Sequence, residues 1–122
     1  MHIPLRPVLA LVLASVACGD KAAEEDWRAD CDETCSKLYA EEGCHLQRAG
    51  QPNDELTERC VSDCSSMFGV SGEARDRYQP TEYAPATEAD PFTNEAEAEL
   101  WMDCVDTTSC QLLDQGYCAP GW

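Results

Sequence analysis

The chain has 122 residues, nine of them cysteine, with 8 Lys and Arg against 24 Asp and Glu. That length leaves room for one domain with a small core, and cysteine usage of this order replaces the hydrophobic burial that a small exported domain cannot achieve, which implies an oxidising compartment. A net charge of −16 argues against nucleic acid or anionic lipid headgroups as partners, since both need clustered Lys and Arg. No apolar run approaches the roughly 20 residues that span a bilayer.

At the amino terminus Arg6 supplies a positive region, Val8 to Ala14 an apolar stretch, and Ser15-Val16-Ala17 the small residues of a cleavage site. Residues 1–17 therefore read as a signal peptide, with cleavage after Ala17. Its loss takes Arg6 and leaves 7 basic against 24 acidic side chains, a net of −17. The run Ser15-Val16-Ala17-Cys18-Gly19 resembles the lipobox of bacterial lipoproteins, although Ser15 stands where that family usually has Leu. The resemblance covers only these residues and implies that the Cys18 thiol carries a diacylglyceryl group. Cysteine parity gives an independent argument: setting Cys18 aside leaves eight cysteines, which can pair completely. Residues 18–26 then form a polar tether, and residues 27–118 the domain.

Trp27, Cys31, Cys35, Leu38 and Tyr39 fall at the spacing of an amphipathic helix, with Asp26 as its cap and Gly43 as a left-handed stop. A second stripe follows through Leu56, Cys60, Cys64, Met67 and Phe68, started by Pro52 and Asn53, supported by Asp54 and Glu55 against the helix dipole, and ended by Gly69. Shifted by 29 residues it repeats the first, as an internal duplication would. Residues 70–93 have no helical or strand period and carry Pro80, Pro85 and Pro91, so they read as a loop. Arg75, Arg77, Tyr78 and Tyr83 within it are candidates for a recognition segment, against the more ordinary expectation that the aromatics pack back onto the domain.

The third helix starts with Asn94 as cap and Glu97 at the capping-box position, and turns Leu100, Trp101, Cys104, Val105 and Thr108 inward. Thr108 and Gln111 suggest a further capping box, opening a short helix with Leu112 and Leu113 that stops at Gly116. Residues 119–122 form a tail. The expected fold is thus all-α, small and disulfide-rich, with three to four short helices.

Two helices that each carry Cys-x-x-x-Cys resemble the twin helical hairpins of oxidatively folded proteins such as the small mitochondrial import chaperones. Here the gap between the pairs is 24 residues and contains Cys44, and the third helix has no counterpart in that family, so only the hairpin geometry is carried over. That geometry sets outer cysteines against each other and likewise the inner ones, implying Cys31 with Cys64 and Cys35 with Cys60. Three pairings remain for Cys44, Cys104, Cys110 and Cys118. A helix between Cys110 and Gly116 would hold its ends roughly 9 Å apart, which disfavours Cys110 with Cys118. Cys44 then pairs with Cys110 or with Cys118.

Four thiolates could instead hold zinc, but an oxidising compartment and the absence of any Cys-x-x-Cys favour disulfides. A redox role is weaker still, since thiol exchangers usually present Cys-x-x-Cys at a helix amino terminus and here the pairs lie inside apolar stripes. His45 is the one histidine left after export and reads as a solvated loop residue, so no multi-histidine metal site is expected. No nucleophile elbow, phosphate loop or calcium loop is present. The acidic groups, Glu24, Glu25, Asp26, Glu41, Glu42, Glu95, Glu97 and Glu99 among them, read as solvated faces.

No catalytic residue, metal or cofactor is therefore expected. The chain as a whole is similar to the small cysteine-rich lipoproteins of unassigned function that are frequent in myxobacteria. The expected role is a non-enzymatic binding or structural protein, anchored through Cys18 to a bacterial envelope membrane on its periplasmic or cell-surface side. Its partners would be the membrane and a protein that the sequence does not name. The alternative is a secreted effector, a toxin or protease inhibitor without lipid.

Overall fold

The computed structural model describes residues 19–84 and 89–119, with side chains from Asp26 onward. Residues 1–17, expected from the sequence to be a signal peptide, lie outside the described residues, as do Cys18 and residues 120–122 of the expected tail. The fold is all-α and disulfide-rich: α1 (Gly19–Tyr39), α2 (Asn53–Ser65), α3 (Glu95–Thr107) and α4 (Cys110–Gln115). Among the described residues the only bridge of β type is an isolated one between Arg48 and Gln51.

Helix α1 is central. Its stripe of Trp27, Cys31, Cys35, Leu38 and Tyr39 is buried along its length, because α2 covers one flank and α3 the other. Helix α2 runs antiparallel to it and contributes Leu56, Cys60 and Cys64, all fully buried. Two bridges staple the pair, Cys31–Cys64 and Cys35–Cys60, each with 5.8 Å between Cα atoms. Helix α3 adds Ala98, Trp101, Met102, Cys104 and Val105, and Phe92 stacks on Trp101 at a centroid distance of 5.2 Å. Both core indoles find acceptors: Trp27 donates to the Cys64 carbonyl at 3.3 Å and Trp101 to the Cys118 carbonyl at 3.2 Å.

The domain's first helix differs from expectation at both ends. It begins at Gly19, so part of the expected tether 18–26 is helical and Asp26 lies within the helix instead of capping it. The run Lys21-Ala22-Ala23-Glu24-Glu25 consists of strong helix formers, and an apolar stripe marks only the part of a helix that has something to pack on. At the other end, Gly43 is not the left-handed residue; His45 adopts that conformation, with φ of 51°. Gly43 is needed for closeness instead. A Cβ there would stand 2.5 Å from the Lys37 carbonyl oxygen and 2.6 Å from that of Ser36. Gly43→Ala should therefore lower stability by about 2 kcal/mol, the cost of overpacking against rigid backbone, and thermal denaturation would show it as a reduced Tm. An unchanged Tm would mean that the 40–44 turn is not seated on α1.

Four further residues are placed in ways the sequence reading did not foresee. Helix α2 ends at Ser65, so Met67 and Phe68 lie in the turn that follows; Met67 is half-buried and Phe68 reaches Trp27 at 6.2 Å between ring centroids. Asn53, the first residue of α2, reaches back to α1, its side-chain amide donating to the carbonyls of Tyr39 at 3.0 Å and Leu46 at 2.7 Å. Leu100 is 42% exposed, since the inward face of α3 is already taken by Glu97, Trp101, Cys104 and Val105.

At the carboxy-terminal end, α4 is capped by Ser109, whose hydroxyl accepts from Leu112 N, and not by Thr108, which terminates α3. Gly116 closes α4 with φ of 114°. The open pairings resolve as Cys44–Cys110 and Cys104–Cys118. Lys37 of α1 fastens the same end: its ammonium donates to the Val105 carbonyl and, at 3.0 Å, to that of Thr108. A cation on the last carbonyls of α3 satisfies orphan acceptors and opposes the negative end of the helix dipole.

Candidate functional site

The loop after α2 holds the most unusual chemistry. Asn94 caps α3, its side chain accepting from Glu97 N at 2.9 Å, but Glu97 does not complete a capping box on Asn94. Its side chain is fully buried and accepts from Thr93 N at 2.9 Å and the Thr93 hydroxyl at 3.0 Å. Arg75 supplies three more donors: its backbone N–H at 2.9 Å, Nε at 2.8 Å and Nη2 at 3.0 Å. One carboxylate thus fixes both ends of the 70–93 segment to the first turn of α3.

The electrostatics follow from that geometry. Burial alone would push the Glu97 carboxyl up, but the hydrogen bonds from Arg75 and Thr93 outweigh it and hold the group at about 2. Arg75 is in turn held above its ordinary value, chiefly by its hydrogen bond to Glu97. Burial pushes the Tyr78 hydroxyl up, and the negative charge of Glu97 adds to the effect against the opposing Arg75.

Of the four residues considered for recognition, Arg75 and Tyr78 are consumed inside the domain: Arg75 by Glu97, and Tyr78 by burial in the core. Arg77 lies 3.5 Å from Asp90 at the surface, and Tyr83, 56% exposed, stacks on Tyr117 at 5.7 Å. The structure therefore does not bring these four together as one surface. Sequence reading missed the Arg75–Glu97 pair, and the available signal was charge: Arg75 is one of 8 cations in a chain with 24 acidic residues.

Where α1 and α3 pack, they leave a groove of about 260 Å³. Trp27 and Met102 form its apolar floor, and Asp30, Glu33, Glu99, Asp103 and Asp106 its walls, with Thr34 donating to Asp106 Oδ1 at 3.3 Å. Among the described residues no cation lines it, so their field favours cationic over anionic groups. The carboxylates are spread along two helices, and among the described residues no group of three or more His, Cys, Asp or Glu is placed to hold a metal ion.

The eight cysteines of the domain form the four bridges, and His45 is a half-buried loop residue on the segment between α1 and α2. No helix among the described residues is long and apolar enough to cross a membrane. No family model matches the chain, and neither a curated protein nor a solved structure matches it.

Proposed function

We propose that this chain is the precursor of a non-enzymatic bacterial envelope lipoprotein, anchored by lipid at Cys18 and serving a binding or structural role outside the cytoplasm. The observation that carries the reading is that Cys31, Cys35, Cys44, Cys60, Cys64, Cys104, Cys110 and Cys118 are all spent on disulfides. Cys18 is the ninth, and an export signal with small residues before it makes lipid the chemical use for an otherwise odd thiol. Four bridges also suit an extracytoplasmic compartment.

Anchoring through a short segment would hold a rigid, strongly acidic domain close to a membrane surface. The carboxylate-walled groove between α1 and α3 is the part of that domain suited to a partner carrying positive charge. The test is expression of the full chain in a bacterial host fed a labelled fatty acid, beside a Cys18→Ser variant. The wild type should carry label and enter the detergent phase on partitioning, whereas Cys18→Ser should do neither. Unlabelled wild type recovered from the aqueous phase would overturn anchoring and favour a secreted effector.

A further inference from the structure

The four bridges are not equivalent in their exposure to solvent. Cys31, Cys64, Cys35 and Cys60 are fully buried, and Cys104 and Cys118 are 3% and 4% exposed. Cys44 is only half-buried, and Cys110, its partner, is exposed. Thiol–disulfide exchange requires a thiolate to reach a disulfide sulfur, so a buried bridge is shielded until the domain unfolds.

The two sides of the exposed bridge also differ in how firmly they are held. On one side, Cys44 N donates to the Lys37 carbonyl at 2.7 Å and Leu46 N to that of Leu38 at 2.9 Å, which fixes this turn to α1. On the other, Cys110 opens a helix of 6 residues in which Leu113 alone is buried. Cutting this bridge would leave α4 held by Leu113 and by the Cys104–Cys118 bridge just beyond it, while both rungs of the α1–α2 hairpin stayed closed.

We propose that Cys44–Cys110 is a redox-labile clasp, opened by a small or protein dithiol while the other three bridges remain intact, and that its opening releases α4 from the α1 turn. A thiolate of the dithiol attacks the Cys110 sulfur; the Cys44–Cys110 bond breaks, and Cys44 leaves as a thiolate that takes up a proton. The second thiol then attacks the mixed disulfide, freeing Cys110 as a thiol, and the dithiol departs as a disulfide. The protein gains two electrons and two protons. This device acts whether or not Cys18 carries lipid.

The experiment is limited reduction of the native full chain with dithiothreitol, without denaturant, quenched at intervals with iodoacetamide and mapped by peptide mass, Cys18 being scored separately. Cys44 and Cys110 should be alkylated roughly tenfold faster than the other six cysteines, giving a two-thiol species with native far-UV circular dichroism. Simultaneous loss of all four bridges, or earlier opening of another pair, would overturn the proposal. Hydrogen exchange on the two-thiol species supplies a second reading: faster exchange should be confined to 110–118 and the 40–46 turn. Protection lost throughout α1 and α2 would show that the bridge supports the whole fold and is not a local clasp.

Discussion

Removal of both hairpin rungs, by alanine at Cys31, Cys35, Cys60 and Cys64, should cost about 6 kcal/mol and leave the domain largely unfolded near 37 °C. The two contributions do not simply add. The Cys31–Cys64 bridge spans 33 residues and Cys35–Cys60 spans 25, and on the chain-entropy account each alone contributes about 3.5 kcal/mol. Because one loop lies inside the other, a closed outer rung reduces the inner loop to a ring of about nine residues, for which the same relation gives about 2.5 kcal/mol. Denaturant titration of the single-rung and double-rung variants under non-reducing conditions checks the pattern. A first removal costing about 2.5 kcal/mol and a second about 3.5 kcal/mol is expected; equal, additive losses would show that the unfolded chain does not behave as nested loops.

Loss of the buried Glu97 carboxylate should cost about 3 kcal/mol, because Glu97→Ala leaves a cavity and removes the acceptor that the half-buried Arg75 and the Thr93 N–H and hydroxyl share. The 70–93 segment should detach first, seen as hydrogen exchange at the Arg75 and Thr93 amides, with the α1–α2 hairpin still protected. Replacing both partners, Arg75→Met with Glu97→Leu, should recover a large part of the loss, since no charge is then stranded. Full protection of those amides in Glu97→Ala would contradict this account.

The same group sets a pH dependence. Glu97 is lowered from 4.5 to about 2 in the folded protein, so the unfolded chain takes up a proton at higher pH than the folded one. Its stabilising contribution is complete above about pH 4.5 and is lost as pH falls towards 2. In Glu97→Gln that share of the acid sensitivity should be absent, and denaturant midpoints measured between pH 5 and about pH 2 would show it.

The buried face of the fold was readable because burial leaves a period. Trp27, Cys31 and Cys35 on α1 and Leu56, Cys60 and Cys64 on α2 are each spaced by one turn, and all six are buried. Local punctuation was readable where one residue did one local task, as with Asn94 at the start of α3 and Gly116 at the end of α4. It misled where a glycine served tertiary structure, since Gly43 permits close approach to α1 carbonyls. Asn53 does open α2 as read, while its side chain also ties the helix back to Tyr39 and Leu46.

The Arg75–Glu97 contact joins residues 22 apart across a segment without periodicity, and the one local mark on Glu97, its place three residues after Asn94, pointed to a capping box and not to Arg75. The groove was hidden for a related reason. Its acidic residues come from two helices, and only the packing of α3 against α1 places Asp30 and Glu33 opposite Asp103 and Asp106. Each stretch alone looks like an ordinary hydrated helix face.

Intact mass of the protein recovered after expression of the full chain in a bacterial host, measured with and without reduction, reads lipidation and bridge count together. The expected product is a chain beginning at Cys18 that carries a diacylglyceryl or triacyl mass and gains eight protons on reduction, one pair for each of the four bridges. An unmodified thiol at Cys18, or a gain of fewer than eight protons, would contradict it.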